Sequence, residues 1–249
     1  MQAGAGFEQG GDLSLDENRA CGNAAWPRVD ALPSSVPGTN LWWCTLDATA
    51  DEIATWRMVL SDAERMRASR FGMPFLRARY VVGRTALRTV LARALGMAPS
   101  EVPIERGLRG RPRLRSDVGL DFNVSHTAGV ALIGTTDAGR IGVDVERRDR
   151  PINVGGIARK FLTDSERADI ASMDADAARR AVLTLWTCKE AMSKATGDAL
   201  SAPFARIDVD CRDGRRLRGG PDPYRPGDWA LYAADVPSDY IATVALWRA

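Results

Sequence analysis

The stretch LSDAER, residues 60–65, returns in almost the same form as LTDSER, residues 162–167. In each copy the second residue is a serine or threonine that can cap the first turn of a helix. The glutamate three positions later can accept a hydrogen bond from the N–H of that cap. Both copies therefore predict the start of a helix, and their similarity suggests that the chain contains an internal repeat.

A second pair of segments extends the repeat. YVVGRTALRTVLARALG ends at Gly96 and LTLWTCKEAMSKATG ends at Gly197, which is nearly the same offset along the chain. Both segments have helical periodicity and end at a glycine, as helices often do. This register aligns Arg88 with Lys189. Two pairs of similar segments at nearly the same offset make an internal duplication of the chain a better explanation than chance.

Strand candidates complete each half. NLWWCTLD (40–47) and RIGVDVE (140–146) precede the helices, and further extended runs follow them. We therefore expect an α+β pseudodimer of two similar lobes, 41–139 and 140–249, with the active site in the cleft between them. Residues 1–40 are rich in Gly, Ala, Pro and acids without periodicity, and we predict a mostly disordered tail.

The composition limits the class of protein. Hydrophobic residues make up 45% and charged residues 27%, as in ordinary globular proteins. We expect a cytoplasmic monomer. Secretion and a membrane segment are not expected, because the chain has neither a secretory signal nor an apolar run near the ~20 residues that span a bilayer. Four cysteines without a CxxC pair favour reduced thiols over a zinc site or a disulfide framework.

Positive charge is concentrated in one region. Between Trp56 and Arg115 there are fourteen arginines and four acidic residues, although the net charge of the whole chain is only +2. A GC-rich genome and a phosphate-binding face are both compatible with this surplus. A nucleic-acid partner is not expected, because a continuous basic surface with interleaved aromatic residues and a known binding module are both missing.

Two carboxylates end the strand candidate IGVDVE. Alternation places Asp144 and Glu146 on one face, with Gly142 beside them. Close carboxylates repel unless a proton or a cation lies between them, and oxygen ligands suit Mg²⁺. A half-exposed strand with solvated acids is the alternative, and it is the commoner one for an isolated D-x-E.

The helix LWTCKEAMSKATG carries further charges. Trp186, Glu190 and Lys194 share one stripe, and Lys189 lies one residue off it. Glu190 and Lys194 could form a surface ion pair. Alternatively, Glu190 could bind a metal or accept a proton while Lys194 neutralises the oxygens of a metal-bound phosphate. The tryptophan would anchor the helix.

The run FNVSHT contains His126, the only histidine of the chain. Adjacent strand residues point to opposite faces, and no GxSxG surrounds Ser125, so a hydrolase dyad of Ser125 and His126 is rejected. These two residues at a strand end could instead bind a phosphate. Arginine guanidinium groups suit the same ligand. The arginines in question lie on the first repeated helix, around Gly83 and in the loop RGLRGRPRL.

In combination these motifs resemble the 4′-phosphopantetheinyl transferase superfamily, in its larger single-chain, surfactin-synthetase-activator type. That family carries FNxSH, then (I/V)G(I/V)D(I/V)E, then WxxKE(A/S)xxK. The same order is found at 122–126, 141–146 and 186–194. An LSxxExxR helix start and a G(K/R)P loop also match. The resemblance covers about residues 41 to 247 and implies the same two-lobed α+β fold.

The resemblance implies an enzyme that moves the 4′-phosphopantetheine arm of coenzyme A to a serine of an acyl or peptidyl carrier protein. The reaction uses Mg²⁺ and releases adenosine 3′,5′-bisphosphate. The implied metal ligands are Asp144, Glu146 and Glu190, and the implied catalytic residues are Glu190 as base and Lys194. The implied coenzyme A contacts are Arg67, Arg79, Arg111, Ser125, His126, Asp144 and Lys194, with Arg65, Arg84 and Lys189 as helpers.

The sequence departs from the family at two positions. Tyr80 is bulky where relatives can place a small hydroxyl residue near the adenosine, and Val145 lies between the two acids where smaller relatives often have a polar residue. Three protein carboxylates are therefore expected on the metal, with water in the remaining position. The main alternative is a non-catalytic module that binds coenzyme A or a carrier protein. A different Mg²⁺-dependent nucleotide enzyme would normally show GxxxxGK[ST] or GxGxxG, which the sequence lacks.

Overall fold

The computed structural model describes residues 26–107, 109–115 and 118–248. Within them the helices are α1 (Ala50–Trp56), α2 (Asp62–Ser69), α3 (Pro74–Leu95), α4 (Val154–Phe161), α5 (Asp164–Ile170) and α6 (Ala175–Thr196). The strands are β1 (Val29–Leu32), β2 (Thr39–Thr45), β3 (Ile104–Arg106), β4 (Pro112–Leu114), β5 (Asp121–Thr127), β6 (Val130–Thr136), β7 (Arg140–Arg147), β8 (Asp208–Asp210), β9 (Arg216–Gly219), β10 (Trp229–Ala233) and β11 (Tyr240–Trp247). This mixture of helices and sheets agrees with the expected α+β class.

Two antiparallel sheets organise the chain. The first has the order β1-β2-β6-β5 and the second β10-β11-β7, while β3-β4 and β8-β9 form separate two-stranded pairs. Apolar residues of β2, β6, β7 and β11 form a core between the two sheets, with Leu132 and Val143 fully buried. Two further cores lie around α3 and around α6.

The repeated capping boxes are confirmed. Ser61 caps α2 and Thr163 caps α5, and each cap exchanges hydrogen bonds with the glutamate three residues later. The same glutamate then forms a buried ion pair with the long helix that follows. Its partner is Arg88 in the first half and Lys189 in the second. The register deduced from the sequence therefore aligns residues with the same packing role.

The long helices α3 and α6 each have 22 residues and end as expected. Gly96 and Gly197 adopt left-handed backbone conformations, with φ of 65° and 86°, which favour glycine. Trp186 anchors α6 as predicted, because its ring packs edge-on against Phe161 and Phe204 at centroid distances of 5.2 and 5.8 Å.

One part of the predicted tail is wrong. β1 lies inside the segment predicted as disordered and pairs with β2, with Val29 opposite Cys44 and Leu32 opposite Leu41. Four residues are too few for a periodic pattern to stand out, and burial of Val29 in the core around α3 stabilises the strand. Residues 1–25, which the same prediction covered, lie outside the described residues.

Candidate active site

Strand β7 places the two predicted acids as the alternation requires. Val143 and Val145 are buried in the core between the sheets, whereas Asp144 and Glu146 project from the other face. Gly142 allows α6 to lie directly on this face, because a Cβ at this position would be 1.8 Å from the carbonyl oxygen of Ala191. The glycine thus brings α6 within reach of the acids.

Side chains of β5 join it to β7, although the two strands belong to different sheets. The N–H groups of three alternate residues of β7 donate to three alternate side chains of β5. The bonds run from Ile141 N to Asp121 Oδ2 (2.8 Å), from Val143 N to Asn123 Oδ1 (3.1 Å) and from Val145 N to Ser125 Oγ (3.3 Å). This β5–β7 seam fixes the first half of the chain against the strand that carries the acids.

Lys194, Asp144 and Ser125 meet at the end of the seam. The ammonium of Lys194 lies 2.6 Å from Asp144 Oδ1 and 2.9 Å from Ser125 Oγ. The hydroxyl of Ser125 also donates to Asp144 Oδ1 at 2.9 Å. Lys194 therefore pairs with Asp144 on β7 rather than with Glu190 along its own helix.

The carboxylates repel one another. Burial and then the charge of Asp144 raise the pKa of Glu146, against the opposing effect of its ion pair with Arg150. Burial and then the charge of Asp144 also raise the pKa of Glu190, with Glu146 adding to the effect and Lys194 opposing it. The three acids therefore form one electrostatic group.

This group fits a divalent cation in its chemistry. Asp144 Oδ2 is buried and has no hydrogen-bond partner among the described residues, so this carboxylate oxygen is left without a donor. Carboxylate oxygens are the ligands that Mg²⁺ prefers. The described part of the chain holds no ready-made cluster of three or more His, Cys, Asp or Glu side chains for a metal ion. The fit therefore rests on the carboxylate oxygens and on the repulsion between their charges, because the described side chains do not form a preassembled metal site.

A basic cavity of about 500 Å³ lies beside this group. Its cationic lining is Arg67, Arg79, Arg84 and Arg106, and its apolar lining includes Leu46, Leu87 and Phe122. Arg84 is paired with Glu64 at 3.2 Å. The other three arginines have no carboxylate partner among the described residues. Partial burial and then the charges of Arg67 and Arg84 lower the pKa of Arg106. The cavity thus concentrates positive charge that an anion would neutralise.

Tyr80 lies inside this basic cluster. Its ring has the guanidinium carbons of Arg67 and Arg84 at 5.9 and 5.8 Å from its centroid. Its hydroxyl is buried without a hydrogen-bond partner among the described residues. The departure from the family noted at this position therefore falls on the cavity wall.

The end of β5 connects the basic cavity with the acids. His126, Thr127 and Ala128 line the basic cavity and also a second, open cavity of about 680 Å³ that borders Glu146. Thr127 donates to Glu146 Oε2 at 3.3 Å. Ala128 and Gly129 form the two-residue turn to β6, both with positive φ, as type I′ hairpin turns require.

The surroundings of His126 favour its neutral imidazole. Its side chain is accessible from solvent but lies among many protein atoms in the concave wall. Loss of hydration, followed by the charges of Lys194 and Arg84, lowers the pKa of His126 to about 4.

Several predicted site residues lie where the sequence placed them. Arg67, Arg79, Arg84 and His126 line the basic cavity. The acids Asp144, Glu146 and Glu190 interact electrostatically, and Lys194 contacts the first of them. Which of these residues bind a ligand stays a prediction.

Two of the predicted helpers lie elsewhere. The ammonium of Lys189 is fully buried and donates to the carbonyl oxygens of Phe161 and Phe204 as well as to Glu166, so its predicted role at the site is wrong. Arg65 turns back to Asp62 at the start of its own helix. It is not among the residues that line the basic cavity.

Arg111 also differs from the expectation. Its guanidinium forms a two-pronged pair with Asp121 and donates to the backbone oxygens of Lys194 (2.8 Å) and Ile141 (2.8 Å). The side chain is 8% exposed. Every edge of the guanidinium is therefore bonded within the protein, and Arg111 fastens the end of α6 to β5 and β7.

The hydroxyl of Ser125 likewise has all its hydrogen bonds within the protein, so it positions Asp144 and Lys194.

Sequence reasoning missed Asp121, Asn123, Thr127 and Arg106. Asp121 and Asn123 alternate with Phe122 and Val124 along β5, and that alternation was the available signal for a polar face on this strand. Arg106 is the first residue of the loop RGLRGRPRL, but nothing in its spacing distinguishes it from the other arginines of that loop.

Comparisons with known proteins agree with this arrangement. A family model described as 4′-phosphopantetheinyl transferase superfamily matches residues 140–245, and one described as 4′-phosphopantetheinyl transferase, N-terminal, matches residues 45–137. The 4′-phosphopantetheinyl transferase HetI of Nostoc sp. is 33% identical over 70% of this chain and 74% of its own length.

Two further relatives extend the comparison. The 4′-phosphopantetheinyl transferase Sfp of Bacillus subtilis is 28% identical over 71% of this chain and 78% of its own length. The L-aminoadipate-semialdehyde dehydrogenase-phosphopantetheinyl transferase of Xenopus laevis is 25% identical over 74% and 65%. No described helix combines the length and the apolar character needed to cross a membrane. From its motifs, its site and these matches, the chain belongs to the 4′-phosphopantetheinyl transferase superfamily and is a transferase of the surfactin-activator type.

Proposed function

We propose that the chain transfers the 4′-phosphopantetheine arm of coenzyme A to a serine of an acyl or peptidyl carrier protein. The reaction depends on Mg²⁺ and releases adenosine 3′,5′-bisphosphate. In this proposal a monomeric pseudodimer has one active site in the cleft between its lobes. Residues 41–139 hold the phosphates of coenzyme A, and residues 140–249 supply the metal ligands and the catalytic side chains.

One observation carries the proposal: the end of β5 borders both the arginine-lined cavity and the acids of β7. A ligand with several phosphates could lie with one end among the arginines and another beside Asp144 and Glu146. Coenzyme A has such a distribution, since its 3′-phosphate is separated from its pyrophosphate. The seam of three hydrogen bonds supports the proposal further, because it holds the two charged regions in a fixed relation.

The cationic contacts proposed for coenzyme A are Arg67, Arg79, Arg84 and Arg106, together with His126. Guanidinium forks bind phosphate oxygens in pairs, and the mutual repulsion of the arginines falls when an anion enters. The phosphate would also favour the imidazolium form of His126. Arg111 and Ser125 leave the set of direct contacts, because their donors are already bonded within the protein.

Asp144, Glu146 and Glu190 would hold Mg²⁺. The unpartnered Oδ2 of Asp144 and the raised pKa values of the two glutamates support this assignment. When bound, Mg²⁺ would neutralise the pyrophosphate and the charge that develops on the departing bisphosphate.

Glu190 is proposed as the base for the incoming serine. A raised pKa brings a carboxylate closer to the operating pH, where it accepts a proton more effectively. The serine oxygen bonds to the phosphorus that carries the pantetheine arm, the bond from that phosphorus to the leaving bisphosphate breaks, and the serine proton passes to Glu190. Lys194, held by Asp144 and Ser125, would neutralise charge on the phosphoryl group during transfer.

Intact-mass spectrometry tests the proposal directly. An apo acyl carrier protein and an apo peptidyl carrier domain are each incubated with the chain, coenzyme A and Mg²⁺, and a parallel sample contains a chelator. We expect a mass gain of one phosphopantetheine that the chelator abolishes. Glu190→Gln should remove the gain, and the exposed Asp235→Asn serves as a control that keeps it. Binding of coenzyme A without a mass gain on either carrier would support the non-catalytic binding module instead.

A further inference from the structure

Two cysteines from distant parts of the second half lie in contact. Cys188 belongs to α6, and Cys211 directly follows β8. Their Sγ atoms are 3.8 Å apart, and both thiols are free. The proposed transfer reaction uses neither of them. The contact is unexpected from the sequence, in which the two residues lie 23 positions apart.

The two sulfurs differ in their surroundings. Cys188 is fully buried in the core around α6, and its Sγ also lies 3.6 Å from Thr243 Oγ1. Cys211 is partly exposed and begins the short connection between β8 and β9. A small reagent can therefore reach Cys211 more readily than the buried Cys188. The connection can also move more easily than a 22-residue helix that is packed on β7 and β11.

We infer that Cys188 and Cys211 form an oxidation site, at which a hydroperoxide converts the two thiols into a disulfide. The contact with Cys188, and then burial, raise the pKa of Cys211, which slows its reaction. Its thiol loses the proton to the departing oxygen as the sulfur attacks a peroxide oxygen, which gives a sulfenic acid and releases an alcohol, or water from hydrogen peroxide. The sulfur of Cys188 then bonds to the sulfur of Cys211, and the hydroxyl group leaves as water. Both thiol hydrogens end in the released products, and the hydroperoxide is reduced by two electrons.

The disulfide forms away from the proposed catalytic face of α6. Glu190 follows Cys188 by two residues, which places it about 200° further around the helix axis. The sulfurs need to approach by roughly 1.8 Å to reach a normal S–S bond length. Because Cys211 lies in the connection, that segment should move and α6 should stay in place. The oxidised protein should therefore keep its transfer activity and gain stability.

Peptide mass spectrometry tests the inference on the whole chain. The folded protein is treated with tert-butyl hydroperoxide, remaining thiols are alkylated, and the protein is digested without reductant. We expect a cross-linked peptide that contains Cys188 and Cys211, and a reversible rise in melting temperature of roughly 5–10 °C that a phosphine reductant removes. In Cys211→Ser, Cys188 should stay unoxidised, because it is buried and has lost its partner.

Three results would overturn the inference. The first is overoxidation of Cys211 while Cys188 remains a free thiol. The second is cross-linking of either residue to Cys21 or Cys44 instead. The third is a cross-link that forms only after denaturation, which would mean that the native contact does not direct it. Transfer activity is measured on the same oxidised sample, and a loss that the reductant restores would contradict the expected immobility of α6 but not the disulfide itself.

Discussion

Lys189 and Lys194 lie five residues apart on α6, and each ammonium contacts a carboxylate at 2.6 Å. Their surroundings differ. The pair of Lys189 with Glu166 is 0% exposed on both sides, whereas the side chain of Lys194 is 25% exposed beside the proposed site. Replacing each lysine by methionine should therefore separate folding from function within one helix.

The contacts of Lys189 determine how much stability its replacement should cost. Lys189→Met removes three hydrogen bonds and leaves the carboxylate of Glu166 buried with only backbone and capping donors. Breaking a buried ion pair on one side costs about 3–5 kcal/mol. In a domain of this size the melting temperature should then fall by roughly 6–20 °C. Activity per folded molecule should stay near normal, because Lys189 does not reach the site.

Lys194→Met should show the opposite behaviour. Its partner Asp144 keeps the hydrogen bond from Ser125, so the loss of stability should be only about 1–2 kcal/mol. Transfer should slow by about 10²–10³-fold, the range observed when one preorganised positive or hydrogen-bonding group is removed from a transition state.

Thermal unfolding followed by circular dichroism measures the melting temperature of each variant. Initial transfer rates, taken at a temperature where both variants are folded, measure the loss of activity. The double variant Lys189→Met/Glu166→Gln provides a control, since removing the unpaired charge should recover part of the lost stability. A wild-type melting temperature for Lys189→Met would refute the reasoning, and so would a large loss of activity in the folded variant.

Three other predictions concern single groups. Glu190→Gln should raise the free energy of unfolding at pH 7, because the raised pKa of Glu190 means that its ionised form is unfavourable in the folded state. This gain in stability should vanish as the pH falls below the ordinary glutamate range. A destabilised variant in denaturant titrations at pH 7 would contradict the prediction. Tyr80→Phe should be neutral or stabilise the protein by about 1 kcal/mol, since the buried hydroxyl has no partner among the described residues, and a clear loss in the same titration would mean that it has one. His126, being the only histidine, can be followed by NMR. Its midpoint should lie near pH 4 and move upward with coenzyme A, and a midpoint near 6.5 in the free protein would argue against the lowered pKa.

The sequence predicted the regular parts of the fold because short-range patterns determine them. A capping box involves residues three positions apart, and strand alternation has a period of two. Both features were therefore visible before the structure, as were the ends of α3 and α6. β1 was missed because its four residues form a strand only through pairing with β2.

The roles of charged residues were harder to predict. Helical spacing placed Glu190 and Lys194 on one stripe but could not show that Asp144 lies opposite the lysine. The same limit applies to Arg111, whose partner Asp121 lies on another strand. Packing between distant segments decides whether a cation faces a carboxylate or an empty cavity, and the pattern around one residue does not contain that information.

The seam between β5 and β7 makes the alignment of the two halves unusually open to mutation. Hydrogen bonds between backbones persist through almost any substitution, since every residue except proline supplies the same groups. Here, however, Asp121, Asn123 and Ser125 supply the acceptors from their side chains. Single nucleotide changes can therefore remove these bonds one at a time and shift the basic cavity relative to the acids. Selection could adjust the gap that a phosphate-bearing substrate must span without altering the arginines or the acids.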